Sequence, residues 1–201
     1  MHYMVVPGSS KHQRRTSPVG DESGRELLTT QLNEARYSRN SGRSTNIMPL
    51  EMLNVQGVWV PHHVVPIVGD GACLFRALSF LIFNTQDQAR TVRQQIVHLV
   101  TSEWQTFSIL SHDSRGDNYR SAAAYSAEMS QPYTYGSLCE LMAAGIIYHF
   151  RFEVYRNGIL YTSTGSLDLP VRRLRFRDNL SAGHFDAYVP MVRGGRRASA
   201  I

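Results

Sequence analysis

Cysteine is scarce in this sequence, and its scarcity limits the kinds of site that the chain can carry. Two cysteines among 201 residues, Cys73 and Cys139, are too few for a disulfide framework. They suit a reducing compartment, so we expect a cytoplasmic protein, with the nucleus as the second location. No Cys-x-x-Cys pair supports a structural zinc site. The adjacent His62 and His63 are more typical of surface residues than of metal ligands, so we expect neither a metal nor a cofactor.

Long hydrophobic runs are also missing. No apolar run approaches the ~18–20 residues that a membrane-spanning helix needs. The first seven residues lack the charged start and long apolar centre of a secretory signal. We therefore expect no membrane partner.

Basic charge is present mainly at the two ends and is almost all arginine. The chain carries 21 lysine and arginine residues against 16 acidic ones, and Lys11 is the only lysine. Residues 1–47 are rich in Ser, Arg, Asn, Gly and Thr without apolar periodicity, which predicts a disordered basic arm or linker. We expect one folded domain over residues 48–192 and a disordered basic tail over residues 193–201.

The apolar patterns of the central part predict an α+β domain, with helices first and antiparallel strands later. One helix begins at Cys73 and is apolar almost all round, which places it in the domain centre. Thr85-x-x-Gln88 resembles a capping box before the next helix. The remaining expected helices cover 89–104, 122–129 and 138–148, and the expected strands cover 152–155, 159–162, 173–177 and 185–189, the first two joined by a type I′ turn at Asn157-Gly158.

Arginines alternate with apolar residues along the third expected strand. Two interpretations remain open: a nucleic-acid surface, or a solvated edge strand whose charge discourages aggregation. Without exposed aromatic neighbours the nucleic-acid pattern is weak. The arginines concerned are Arg172, Arg173, Arg175 and Arg177, together with Arg193, Arg196 and Arg197 of the tail.

The segment Gly69–Leu78 places a cysteine between a glycine-rich turn and the apolar helix. Unpaired N–H groups and the positive end of the helix dipole favour a thiolate at such a position. Because the thiolate is the nucleophilic form, Cys73 is the candidate nucleophile. Cys139 lies inside a helix between apolar residues and is expected in the core.

Far downstream, His184 is followed two residues later by Asp186. Residues i and i+2 of a strand share one face, roughly 7 Å apart. His184 is then the candidate general base, and we expect Asp186 to accept the Nδ1 proton and leave Nε2 facing the thiol.

These segments resemble the OTU (ovarian tumour) family of cysteine proteases over about residues 58–190. The family's first motif, Asp-Gly-x-Cys-x-Phe-Arg, is matched by Asp70, Gly71, Cys73, Phe75 and Arg76. Its last motif, a glycine-led His-aromatic-Asp/Asn, is matched by residues 183–186. In the middle, Tyr135-Gly136-Ser137 stands where the family more often has Trp-Gly-Gly, a departure that affects substrate contacts.

The resemblance implies a papain-type fold with a central, mostly antiparallel sheet flanked by helices. It implies a catalytic set of Cys73, His184 and Asp186, joined by Asp70, which helps to shape the active-site loop. Backbone amides near the small Gly71 and Ala72 are expected to form the oxyanion hole. The candidate substrate-binding residues are Arg76, Tyr135 and Gly136, with a salt bridge as the alternative role of Arg76.

The function implied by the resemblance is that of a cysteine isopeptidase. It would remove ubiquitin or a ubiquitin-like modifier from lysine conjugates through a thioester, as a monomer and without a cofactor. The scarcity of lysine fits codon bias, or a protein that handles ubiquitin and offers it few attachment points. Two other functions remain open: a viral or transposon polyprotein protease of the same fold, and a catalytically silent module that binds ubiquitin or nucleic acid.

Overall fold

The computed structural model describes residues 48–178 and 183–191. The expected disordered arm and tail lie outside these residues. The described part contains, in chain order, β1 (Leu50–Val55), β2 (Val58–Val65), α1 (Cys73–Phe83), α2 (Ala89–Ser102), α3 (Trp104–Phe107), α4 (Ala122–Met129), α5 (Leu138–Tyr148), β3 (Arg151–Arg156), β4 (Ile159–Thr164), β5 (Val171–Asp178) and β6 (Gly183–Pro190).

The strands form one six-stranded sheet in the order β1-β2-β6-β5-β3-β4. The α+β prediction is confirmed, but the sheet is mixed rather than mostly antiparallel, because β3 and β5 run parallel. β4 folds back on β3 and ends beside the start of β3. The chain then passes the start of β3 and enters β5, which pairs with the other side of β3. Gly165 makes this crossing with a φ of +91°, and a Cβ there would lie 2.9 Å from the carbonyl oxygen of Phe150.

Two hairpins curl the sheet. The predicted turn at Asn157-Gly158 is confirmed, with φ of +52° and +75°. The β1–β2 hairpin was not predicted, and its turn at Gln56-Gly57 has the same signs, with φ of +52° and +86°. The two tips meet where the Asn54 N–H donates to the carbonyl oxygen of Gly158 at 2.8 Å. This contact brings β1 over the sheet face opposite the helices.

Each face of the sheet has its own apolar core. The helix side holds α1, whose Leu74, Phe75 and Leu78 are fully buried, as the apolar sequence of this helix predicts. Burial of side chains of this size stabilises the fold by roughly 2–3 kcal/mol each. The curled side encloses a smaller cluster of Leu53, Val64, Tyr155 and Tyr188. α1 is therefore held rigidly, and its N-terminal residue with it.

The capping box forms at a different helix from the one predicted. Gln88 precedes α2 without a side-chain cap, and α2 ends at Ser102, before Trp104. The box closes instead at α5, where the Ser137 N–H donates to Glu140 Oε2 at 2.6 Å. The buried Glu140 also accepts the Tyr125 hydroxyl at 2.9 Å, so this cap joins α5 to α4.

Two surface predictions are wrong. The arginine-bearing β5 is an interior strand between β6 and β3, so it cannot be an edge strand. His62 is 2% exposed, with Nδ1 3.1 Å from the Val60 carbonyl oxygen and its ring against Tyr188. β5 is interior because β6 and β3 pair with its two sides, and His62 is buried because its ring lies on the curled face of the sheet against Tyr188. No helix in residues 48–178 and 183–191 is long and apolar enough to cross a membrane.

Candidate active site

Cys73 is the first residue of α1, at the end of the Gly69–Ala72 turn. Gly71 has a φ of +85°, and a Cβ there would overlap the carbonyl oxygen of Tyr133. Glycine is therefore required both by the backbone conformation and by the approach of the Tyr133 loop. Cys73 is only 2% exposed, so its thiol is covered in this structure. Cys139 is fully buried, as predicted for a core residue.

Asp70 shapes the turn and makes no contact with His184 among the described hydrogen bonds. Its Oδ1 accepts the Ala72 N–H at 3.0 Å, and its Oδ2 accepts Arg76 Nη2 at 2.6 Å. The hydrogen bond from Arg76 lowers the pKa of Asp70. The pair closes the turn across the first turn of α1, so Arg76 forms the salt bridge that was its alternative role.

This arrangement restricts which amides can bind an oxyanion. The Ala72 N–H is already used by Asp70. Within the described residues, the N–H groups of Gly71 and Cys73 have no hydrogen-bond partner. The Cys73 amide lies at the N-terminus of α1, where the helix dipole adds to its attraction for negative charge.

β6 brings His184 and Asp186 to the N-terminal end of α1. His184 Nε2 lies 3.0 Å from Asp186 Oδ1, whereas the sequence led us to expect Nδ1 at the acid. The nitrogen assignment is wrong because two residues along a strand span about 7 Å, and Nε2 is the ring nitrogen farther from the backbone. Nδ1 is left on the side of the cysteine turn, near Gly69, whose Cβ would lie 3.6 Å from it.

His184 is a stronger base here than an ordinary histidine. Its hydrogen bonds with Asp186 and with the Cys73 thiol outweigh the effect of burial and raise its pKa to about 9. At neutral pH the ring is therefore mostly imidazolium. Its hydrogen bond with the Cys73 thiol places His184 where it can exchange a proton with that group.

Asp186 is 2% exposed and has a full set of partners. Oδ1 accepts the Ile67 N–H at 3.1 Å in addition to His184. Oδ2 lies 3.3 Å from Arg175 Nη1 and 3.2 Å from Arg177 Nη2. Burial opposes ionisation, but the His184 and Ile67 hydrogen bonds and the nearby Arg177 outweigh it and lower the pKa of Asp186. The carboxylate stays charged and oriented toward the histidine.

A buried thiol, a histidine and a hydrogen-bonded acid are the parts of a cysteine protease. A family model described as OTU-like cysteine protease matches residues 68–175, just over half of the chain. The chain belongs to the OTU-like cysteine protease family. The matched residues include the cysteine turn but end before His184. The places of His184 and Asp186 in this OTU domain are therefore known from the structure and not from the family match.

Two sequence relatives agree with the assignment. OTU domain-containing protein 1 of Mus musculus and of Homo sapiens are 30% identical over 132 residues, or 62% of this chain. The match spans about a quarter of those relatives, 27% and 25% of their lengths.

Three solved OTU domains share the fold. The OTUD1 domain has a TM-score of 0.51 at 23% identity and covers 64% of this chain and 85% of its own. The viral protease from Dera Ghazi Khan virus scores 0.52 at 17% identity, covering 75% and 99%. An OTU domain in complex with ubiquitin scores 0.53 at 16% identity, covering 70% and 76%.

Sequence reasoning missed a buried arginine that anchors the loop packed against the cysteine turn of the OTU domain. Arg93 of α2 is 3% exposed and its guanidinium lies 3.7 Å from the Phe75 ring centroid. It donates to the carbonyl oxygens of Met129, Pro132 and Thr134 at 3.0, 3.0 and 2.8 Å. Burial lowers the pKa of Arg93 to about 10, so it remains charged at neutral pH. The loop that it anchors carries the Tyr133 carbonyl against Gly71.

The same loop continues to Tyr135 and Gly136, the candidate substrate-binding residues. Tyr135 stacks on Phe185, with centroids 6.0 Å apart, and borders an apolar cavity of about 560 Å³. Gly136 has a packing role, since a Cβ there would lie 2.9 Å from Leu74 and Phe75 atoms of α1. The cavity is bordered by Gly183 and Phe185, the two chain neighbours of His184, and is lined further by Leu138, Leu141, Val154, Tyr161 and Phe176.

Proposed function

We propose that this OTU domain is a cysteine isopeptidase that removes ubiquitin, or a ubiquitin-like modifier, from lysine side chains. The proposal rests above all on one observation. Cys73 begins a buried helix beside His184, and Nε2 of His184 is hydrogen-bonded to the buried carboxylate of Asp186. It is further supported by family membership and by the ubiquitin complex of a solved OTU domain with the same fold. Since the thiol must stay reduced, we place the activity in the cytoplasm or the nucleus.

The geometry suits a two-step acyl transfer. The Cys73 thiolate attacks the carbonyl carbon of the modifier's terminal glycine, and the electron pair moves to the carbonyl oxygen. The Cys73 N–H, and that of Gly71, donate to this oxyanion. The tetrahedral intermediate then expels the lysine amine, which takes a proton from the His184 imidazolium, and leaves a thioester.

Hydrolysis of the thioester uses the same histidine in the opposite direction. Neutral His184 accepts a proton from water, whose oxygen attacks the thioester carbonyl carbon. The sulfur leaves as thiolate, and the released carboxylic acid loses its remaining proton to solvent, which completes the cycle. Asp186 keeps the imidazole ring in one orientation through both steps, so no further group has to move.

The apolar cavity bordered by Tyr135 and Phe185 suits a substrate tail rather than a free amino acid. It lies along the wall formed by Tyr135 and Phe185, and its lining is mostly aromatic and aliphatic. A peptide with apolar side chains before its terminal glycines would bury them here while the scissile carbonyl reaches Cys73. Lysine conjugates of such a tail are the proposed substrates.

Hydrolysis of a fluorogenic amide at the C-terminus of ubiquitin tests the proposal. We expect turnover by the wild-type chain, none by Cys73→Ala, and wild-type turnover by Cys139→Ala, which removes the other thiol. Absence of turnover by a folded wild-type chain, together with tight ubiquitin binding, would contradict the enzymatic function and support a silent binding module. Cleavage of peptide junctions instead of the ubiquitin amide would support a polyprotein protease.

A further inference from the structure

The acid of the proposed catalytic set faces two arginines of the neighbouring strand. Arg175 and Arg177 both lie on β5, on the same sheet face as His184 and Asp186. Their contacts with Asp186 Oδ2, at 3.3 and 3.2 Å, leave Oδ1 to the histidine and the Ile67 N–H. The carboxylate is thus held from both of its oxygens.

Arg175 differs from Arg177 in being fixed at its other end. Its Nη2 pairs with Glu51 Oε1, and the same carboxylate of Glu51 accepts the Tyr188 hydroxyl. The Arg175 side chain is 24% exposed and that of Arg177 is 52% exposed. Glu51 lies on β1, so the hairpin that curls over the sheet is connected to Asp186 through a single guanidinium.

We propose that Arg175 is a positioning residue for Asp186, and that Glu51 of the β1–β2 hairpin holds Arg175 in that position. This inference rests on the proposed function, because the acid matters only if His184 works as a base and acid. The planar guanidinium bridges two carboxylates with different nitrogens, which a lysine ammonium cannot reproduce in the same geometry. The bridge fixes the Asp186 rotamer and, through it, the ring of His184.

The positive charge of Arg175 also affects how strongly His184 holds its proton. A cation beside Asp186 partly offsets the attraction of that carboxylate for the His184 imidazolium, so removal of Arg175 raises the affinity of His184 for its proton. Three ionisable groups contact the His184–Asp186 pair within the described residues: Cys73 of α1 at His184, and Arg175 and Arg177 of β5 at Asp186. Glu51 of β1 and Tyr188 of β6 lie on the far side of Arg175, and Tyr135 of the loop before α5 lies near Cys73.

The test compares Arg175→Met, Arg175→Lys and Glu51→Gln with the wild type. For Arg175→Met we expect kcat on the ubiquitin amide to fall about tenfold with KM unchanged, as when an orienting partner of a catalytic ligand is lost. Arg175→Lys should restore the proton affinity of His184 but only part of kcat. Glu51→Gln should lower kcat in the same direction and to a smaller extent.

Arg173→Met is the matched control. Arg173 lies two residues away on the same strand face, is buried to a similar degree and pairs with Glu153 at 3.1 Å instead of with Asp186. An effect that comes only from the loss of an arginine on β5 should therefore be the same in Arg173→Met and in Arg175→Met. Titration of the His184 ring by NMR is the second readout, and we expect its pKa to rise in Arg175→Met and to stay at the wild-type value in Arg173→Met.

The two readouts separate the possible failures. If the wild type does not turn over ubiquitin amide, the proposed function fails, while the His184 titration still tests the role of Arg175. If Arg175→Met moves neither kcat nor the titration beyond Arg173→Met, the positioning role is overturned. Should Arg175→Met fail to fold, Glu51→Gln carries the same test, and an unchanged kcat and unchanged titration in that variant overturn the proposal.

Discussion

Replacement of Asp186 by asparagine tests the electrostatic part of the site. The pKa of His184 is about 9 instead of the ordinary 6.5, a difference of about 2.5 pH units. At about 1.36 kcal/mol per unit, the pair and its thiol favour the imidazolium by roughly 3 kcal/mol. The side-chain amide of the Asp186→Asn variant can still accept from the Ile67 N–H and from His184, but it has no charge. We therefore expect the pKa of His184 to fall by most of that difference, to near 7.

The rate loss that follows depends on pH. With a pKa near 9, about nine-tenths of His184 is protonated at pH 8, whereas with a pKa near 7 only about one-tenth is. Proton donation to the leaving amine then loses about a factor of ten at pH 8 and almost nothing at pH 6. The alkaline limb of kcat/KM should move from near pH 9 toward pH 7.

The assay is the pH profile of ubiquitin-amide hydrolysis from pH 5.5 to 10, with thermal unfolding at each pH to exclude loss of structure. The control is Asp113→Asn, because Asp113 is bonded to Arg115 in an exposed loop away from the site. An alkaline limb that stays near pH 9 in a folded Asp186→Asn variant would refute the reasoning, since the raised pKa would then come from another source.

Two further substitutions test the loops around the nucleophile. Gly71→Ala must displace the Tyr133 carbonyl, so it should abolish turnover and lower the unfolding temperature. Its control is Gly57→Ala, at a φ of +86° with open space around it, which should lower the free energy of unfolding by only about 1–2 kcal/mol and retain turnover. Arg93→Met removes the donor of three buried carbonyls and should lower the free energy of unfolding by roughly 3 kcal/mol or more in urea titrations, whereas exposed Arg90→Met should stay within about 0.5 kcal/mol. Wild-type stability in Arg93→Met, or turnover in Gly71→Ala, would contradict the roles given to these residues.

Local signals predicted the elements that carry the site. The glycine turn and apolar run at Cys73 predicted α1 correctly, because both signals depend only on residues that are close together in the sequence. Asn157-Gly158 predicted its hairpin because these residues adopt positive φ at low cost. Gln56-Gly57 has the same conformation, but glutamine is a weaker signal than asparagine for that turn, and the first hairpin was missed.

Contacts between distant strands were beyond the sequence. Nothing local indicates that Glu51 meets Arg175, because that contact depends on the curl of the sheet, which brings β1 close to β5 across β2 and β6. The burial of Arg93 has no local signal either, since an arginine on a helix is usually exposed. The sequence placed His184 beside Asp186 correctly, but the choice of ring nitrogen depends on side-chain reach across the strand.

Covalent capture tests the central claim most directly. The wild-type chain is incubated with ubiquitin that carries a thiol-reactive electrophile at its C-terminus, and the product is read by intact mass and peptide mapping. The account predicts one ubiquitin attached at Cys73, the same product with Cys139→Ala, and none with Cys73→Ala. Labelling at Cys139, or no labelling of a folded wild-type chain, would contradict it.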